Sequence, residues 1–223
     1  MISDIWTILK KDLTLDMRRM ENFIAMLFFG VIILLVFSFA LPQDEEMHGL
    51  LAPGVFWVTF LLSGILGLSK SFQLEKEMGS MEALLLAPIS RGSIYLGKMT
   101  GNVIFILFMQ CLLIPLFALL FYAPAMEHFF EMIALSALAA FGFSSLGTLL
   151  SGLTTDVRFK EILLPILLFP LLIPMLLAVV RILAGIFLGE GFQGELDWLK
   201  LLIGFDLIFM IVAYLTFDFV MEL

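Results

Sequence analysis

The stretch NFIAMLFFGVIILLVFSFALPQ, residues 22–43, decides the fold class: 22 residues lie between Glu21 and Asp44 without a charge. An α-helix rises about 1.5 Å per residue, so about 20 apolar residues cross a hydrocarbon core about 30 Å thick. The run is continuous and lacks in/out alternation, so it reads as a helix and not as a barrel strand. Outward from it the same feature recurs at 49–69, 99–126, 132–155 and 162–180, and more weakly at 201–217, which contains Asp206. These runs predict one all-α membrane domain over 1–223 with six spans, at about 23–42, 50–69, 99–122, 132–153, 162–180 and 201–219. Trp6, Trp57 and Trp198 fall near predicted span ends, where interfacial anchors belong.

Composition agrees. The 223 residues are 62% hydrophobic and 14% charged, with a mean hydropathy of +1.12. Soluble domains carry roughly 45–50% apolar and about 25% charged residues, and a chain of this size buries only about 70–75% of its surface. A soluble enzyme is excluded. The balance of 12 basic and 20 acidic residues leaves no nucleic-acid footprint. The single cysteine, Cys111, lies in an apolar run and reads as a packing residue.

Lys and Arg set the predicted orientation. Lys10, Lys11, Arg18 and Arg19 precede the first span; Lys70, Lys76, Arg91 and Lys98 lie between the second and third; Arg158 and Lys160 lie between the fourth and fifth. The alternate loops hold only Arg181 and Lys200, so ten cations fall on one side and two on the other. The positive-inside rule then places both termini in the cytoplasm. The charges at Asp4 through Glu21 are the wrong pattern for a cleavable signal peptide.

Several segments do more than span. Residues 1–21 predict an amphipathic interfacial helix: Ile2, Ile5, Trp6, Leu9 and Leu13 share helical spacing. It suits either an anchor or a lever that carries movement into span 1. The longest cytoplasmic loop, KSFQLEKEMGSMEALLLAPISRGSIYLGK at 70–98, opens with a charged helix at Glu75–Glu77 and breaks near Gly79. It resumes at Met81–Leu86 and stops at Pro88. Leu84–Leu86 is apolar yet too short to span, so it seeks a protein groove or the bilayer surface. Pro165, Pro170 and Pro174 predict a bent or discontinuous span 5 facing other protein, and Pro115 a kink in span 3. Ala140, Ser144, Gly147, Thr148 and Ser151 give span 4 a small-residue stripe, suited to close packing within the subunit or to a subunit seam. The glycine-rich 181–200 segment reads as dipping into the outer leaflet.

Resident chemistry is scarce. Gly92–Lys98 fits seven positions of a phosphate-binding loop, but Met99 stands where Ser or Thr holds magnesium, and no strand precedes it. The chain by itself therefore hydrolyses no ATP. His48 and His128 fall in predicted outer loops, and no span contains a histidine. No catalytic and no metal-ligating set is read. Asp206 lies about five residues inside its run, a depth from which snorkelling to the outer interface is expected.

The pattern S-F-x-x-E-x-E-x-G-x-x-E-x-L-L-L-x-P at 71–88 resembles the coupling region of exporter-type ABC permeases. With Arg19-x-Glu21 before span 1, Leu51–Trp57 (with Pro53 and Gly54) opening span 2, and Leu164-Pro165 with Pro170 and Pro174 in span 5, the chain resembles the CcmB family along its length. The resemblance implies a permease subunit of a cytochrome c maturation complex in a bacterial inner membrane. Such a subunit works with a CcmA-type ATPase dimer holding ATP and magnesium, a CcmC-type heme-handling protein, a small CcmD-type subunit and the heme chaperone CcmE, and it binds no cofactor itself. It assigns Phe72, Glu75, Glu77, Gly79, Glu82, Leu84, Leu85, Pro88 and Arg91 to ATPase coupling. Arg19, Glu21, Pro53, Gly54, Trp57, Pro165, Pro170 and Pro174 take structural or gating roles. A related exporter of lipid, polysaccharide or drug, and a non-transporting scaffold, stay open.

Overall fold

In the computed structural model, residues 2–18, 20–41, 45–71, 88–121, 123–154 and 160–220 are described. They form an amphipathic helix, α1 (Ile2–Arg18), then α2 (Glu21–Ala40), α3 (Glu45–Ser71), α4 (Arg91–Leu120), a 3-10 turn (Ala123–Met126), α5 (Phe129–Thr154), α6 (Lys160–Phe187), one helical turn (Gly191–Gly194) and α7 (Leu196–Val220). No strand occurs among the described residues. Six helices, α2 to α7, are long and apolar enough to cross a membrane. The protein is an all-α, multi-pass membrane protein.

Burial follows helical periodicity. On α2 Phe23, Met26, Gly30, Ile33 and Leu34 are buried, with Leu27, Val31 and Phe37 packed beside them, while Phe28, Ile32, Val36 and Phe39 are exposed. A helix apolar all round is what such a position allows. The centre of the bundle is α5, where every residue from Gly142 to Ser151 is buried. Small side chains let neighbours approach closely: a Cβ on Gly64 would lie 2.8 Å from the Phe143 ring, and one on Gly147 would collide with Leu68 Cδ1. The small-residue stripe of span 4 is thus used inside the subunit. An aromatic chain, Phe117–Phe56–Trp57–Phe60–Phe143, links α4, α3 and α5, with centroids 5.1–5.3 Å apart.

Five features differ from the reading of the sequence, the first being Cys111, read as a packing residue and exposed on α4. The third span starts at Arg91, not 99, because Lys98 is buried beside α1 instead of marking a boundary. Trp57 is 1% exposed in the core and anchors no interface. Asp206 does not snorkel: it is 3% exposed, wedged between α7 and α5. And α6 is not discontinuous: it continues as one helix through Pro165, Pro170 and Pro174, running past Arg181 to a turn where Gly189 and Gly191 take φ of 81° and 59°. Beyond that turn Phe192 and Trp198 pack against the main core.

Candidate coupling site

The predicted ATPase-coupling segment begins at the end of α3, which closes at Ser71, and ends at the start of α4, which opens at Arg91. Phe72, Glu75, Glu77, Gly79, Glu82, Leu84 and Leu85 lie outside the described residues, as does Arg19. What can be built from residues upward is the place where the segment returns. Pro88 is exposed and sits in a bend. Ser90 then caps α4, its Oγ accepting from Ser93 N at 3.3 Å and lying 2.7 Å from Ser93 Oγ. Arg91 Nη1 donates to the Asp218 carbonyl at 2.8 Å, fastening the first residue of α4 to the end of α7. A groove of about 420 Å³ lies between these ends, lined by Ile89, Arg91, Tyr214 and Asp218 among others.

The next turns of α4 are held on three sides. Tyr95 is fully buried; its hydroxyl donates to the Ser145 carbonyl at 3.2 Å and lies 2.9 Å from Ser145 Oγ. Its ring is 5.3 Å from that of Phe217. Asn102 Nδ2 donates to Thr148 Oγ1 at 3.0 Å. Toward α1, Lys98 Nζ is 3.5 Å from Asp12 Oδ2, with 1% of the lysine side chain exposed. Ile8, Ile94, Tyr95, Met99, Leu149, Ala213 and Phe217 form a second apolar core, separate from the main one and drawn from α1, α4, α5 and α7. Both terminal helices therefore meet α4 at the end where the coupling segment returns.

Glycine permits the closeness. A Cβ on Gly92 would lie 2.6 Å from the Tyr214 ring, and one on Gly97 would lie 2.8 Å from Ile8 Cβ and 3.3 Å from the Ile5 carbonyl. Gly97→Leu is therefore expected to lift α1 from α4. Amide exchange over residues 5–13 should rise tenfold or more, with α5 unchanged; protection as in the wild type would show that α1 holds by other contacts.

The phosphate-loop look-alike at Gly92–Lys98 is a closed helix whose amides after the first turn serve its own ladder. Among the described residues no group of three or more His, Cys, Asp or Glu could hold a metal. His128 is half-buried and bonded to Glu131. Among the described residues, this end of α4 is held by packing and single hydrogen bonds, an arrangement that can bear force. The structural and gating residues do not gather there. Pro53 and Trp57 are buried on α3, Gly54 faces open space, Glu21 is exposed at the start of α2, and Pro165 is half-buried while Pro170 and Pro174 are exposed on α6. Reasoning from sequence missed Tyr95, Lys98 and Asn102, although their i, i+3, i+7 spacing marks one polar helix face.

The sequence matches the profile of the CcmB protein family over residues 3–222. The chain belongs to the CcmB family. It is 31% identical to heme exporter protein B of Pseudomonas aeruginosa over 193 residues, 86% of each chain. It is also 31% identical to heme exporter protein B of Rhodobacter capsulatus over 170 residues, 76% of this chain and 78% of that one. Against the protein of the same name from Haemophilus influenzae it is 26% identical over 189 residues, 85% of each. The family match takes in every helix of the bundle and the segment between α3 and α4.

Proposed function

We propose that this CcmB-family chain is the permease subunit of a heme-export complex of cytochrome c maturation, driven by a partner ATPase. The ATPase, a CcmA-type dimer, grips the segment between Ser71 and Pro88 in the cytoplasm. CcmC- and CcmD-type membrane subunits receive the movement, and the heme chaperone CcmE is released outside the inner membrane. The single observation that carries the reading is the anchorage of α4. Its first turns are tied to α7 through Arg91, to α5 through Tyr95 and to α1 through Lys98. A push delivered at Pro88 thus reaches three other helices within two turns.

Nucleotide can bias such an assembly only through contacts that differ between its two states. Here those are the charges Glu75, Glu77 and Glu82, with Leu84 and Leu85 as apolar anchors. Glu77→Lys with Glu82→Lys is expected to weaken co-purification of the ATPase about tenfold and to abolish holo-cytochrome c, with the bundle still folded. Undiminished co-purification would overturn the docking assignment; normal holo-cytochrome c in a strain lacking the chain would overturn the function.

A further inference from the structure

Helix α1 is seated on one side. Ile8 and Leu9 are buried, and the Ile5 carbonyl, Ile8, Leu9 and Asp12 face Gly97, Lys98 and Gly101 of α4. On the opposite side Ser3, Thr7, Lys10, Thr14 and Met17 recur at helical spacing and are all exposed, with Trp6 beside them at 64%. Trp6, Thr7, Lys10, Lys11, Thr14 and Leu15 line a surface groove of about 560 Å³.

The charges of α1 are sorted between the two sides. Asp12 is turned to α4, its Oδ2 3.5 Å from Lys98 Nζ and its Oδ1 3.1 Å from Lys11 Nζ. Lys11 keeps 37% of its side chain exposed. Lys10 makes no ion pair among the described residues, and Asp4 lies half-buried about two turns before Lys11. The Thr7 and Thr14 hydroxyls donate to the carbonyls of Ser3 and Lys10, at 2.8 and 2.6 Å, and so offer a ligand no proton. What remains along the groove is two ammonium groups and an indole, a set suited to an anion at an apolar boundary.

The packing of α2 sets the depth of this groove. The Phe23 ring lies 5.2 Å from that of Phe105 and 5.1 Å from that of Phe108, and a Cβ on Gly30 would lie 2.9 Å from Leu113 Cδ1. The two helices therefore run side by side in one direction, with Glu21 about level with Ile104. Glu21 is exposed and is the last charge before the uncharged run 22–43, so the hydrocarbon begins there. Helix α1 meets α4 at residues 97–101, about 5–10 Å outside that boundary at 1.5 Å per residue. A headgroup layer is roughly 5–8 Å thick on each side of the hydrocarbon. The exposed side of α1 thus lies at the depth of lipid phosphates. Lipid packed around α2 and α4 reaches this depth in any bilayer; a soluble protein does so only by displacing headgroups.

We propose that the exposed face of α1 binds the headgroup phosphate of an anionic phospholipid, with Lys10 and Lys11 on the phosphate and Trp6 at the boundary with the acyl chains. A zwitterionic headgroup brings its own ammonium, which competes with the lysines; an anionic one does not. This face needs only the membrane fold, and no partner ATPase enters.

The test uses the full chain in nanodiscs of phosphatidylcholine with a minor fraction of phosphatidylglycerol, one lipid or the other brominated near its headgroup. The quenching lost in Trp6→Phe isolates the Trp6 signal. Brominated phosphatidylglycerol should quench Trp6 as though enriched about fivefold over its bulk fraction, and high salt should abolish the excess. Lys10→Gln with Lys11→Gln should remove it, and Lys10→Arg with Lys11→Arg should keep it, with amide protection over residues 5–13 unchanged in both. Quenching at the bulk ratio, or an excess that survives high salt or the glutamine pair, would overturn the proposal. Loss of amide protection in the glutamine pair would do the same, by showing that these lysines serve the α1–α4 seat. In native membranes holding the partner subunits, a benzophenone at Thr14 should label lipid; labelling of a protein there would make this face a protein contact and sink the inference.

Discussion

Tyr95→Ala is expected to lower the stability of the bundle by about 3–5 kcal/mol, the usual cost of emptying a buried aromatic site. At roughly 2–4 °C per kcal/mol for a chain of this size, the unfolding midpoint in detergent should fall by about 10 °C. The ring fills the second core against Phe217, and the hydroxyl is a direct link from α4 to α5. On the proposed function, the same change should also disconnect the partner ATPase from the rest of the complex. ATP hydrolysis would continue while holo-chaperone release per ATP falls tenfold or more, because α4 can then tilt without carrying α5 and α7. Tyr95→Phe keeps the packing and loses only the hydrogen bonds, at about 1 kcal/mol; its release per ATP should lie between wild type and Tyr95→Ala. Phe60→Ala is the control: Phe60 is fully buried in the main core, so it should lower the midpoint alike and leave release per ATP unchanged. Equal ratios for Tyr95→Ala and Phe60→Ala would reduce Tyr95 to a packing residue.

The six spans were legible because hydrocarbon imposes one requirement, about 20 apolar residues in helical form, and the sequence answers it six times. The amphipathic α1 was legible for the same reason on one face. What escaped were groups whose setting depends on a distant partner. Lys98 interrupts an apolar run, so counting charges puts a boundary there; its burial follows from a partner such as Asp12, 86 residues earlier on α1. Tyr95 is one more aromatic residue until Ser145 stands opposite it, 50 residues on. Trp57 lies only seven residues from the start of its predicted span, a depth that suggested an interface, but it is buried in the main core between Phe56 and Phe60, whose rings meet α4 and α5. The prolines of α6 were expected to face protein; that Pro170 and Pro174 lie on a side exposed among the described residues emerged only from the packing of the other helices. Of the predicted coupling segment, 70–92, the described residues give only the two ends, and the ties that fasten its second end to the bundle were not legible because they are long-range.

Asp206 is the sharpest case, and it yields a prediction from space alone. Both its oxygens lack hydrogen-bond partners among the described residues, and a Cβ on Gly142 of α5 would collide with Oδ1 and stand 3.1 Å from Cγ. Gly142→Ala therefore has to push α5 from α7 or force the carboxyl off its rotamer. Overpacking of this kind costs about 1–3 kcal/mol, or roughly 5 °C in the midpoint. Asp206→Ala removes two unpaired buried acceptors and leaves a small void. These effects oppose, so its own change should stay within about 1 kcal/mol. In the double variant the new methyl at 142 enters the space that the carboxyl vacates, and most of the lost stability should return. The expected coupling energy is about 2 kcal/mol, at the upper end for residues in contact. Asp206→Asn keeps the shape of the side chain and should rescue nothing. Thermal unfolding of the four variants, followed by tryptophan fluorescence, decides the matter: additive losses in the double variant would mean that Asp206 does not pack on Gly142, and that the α5/α7 seam is assembled differently.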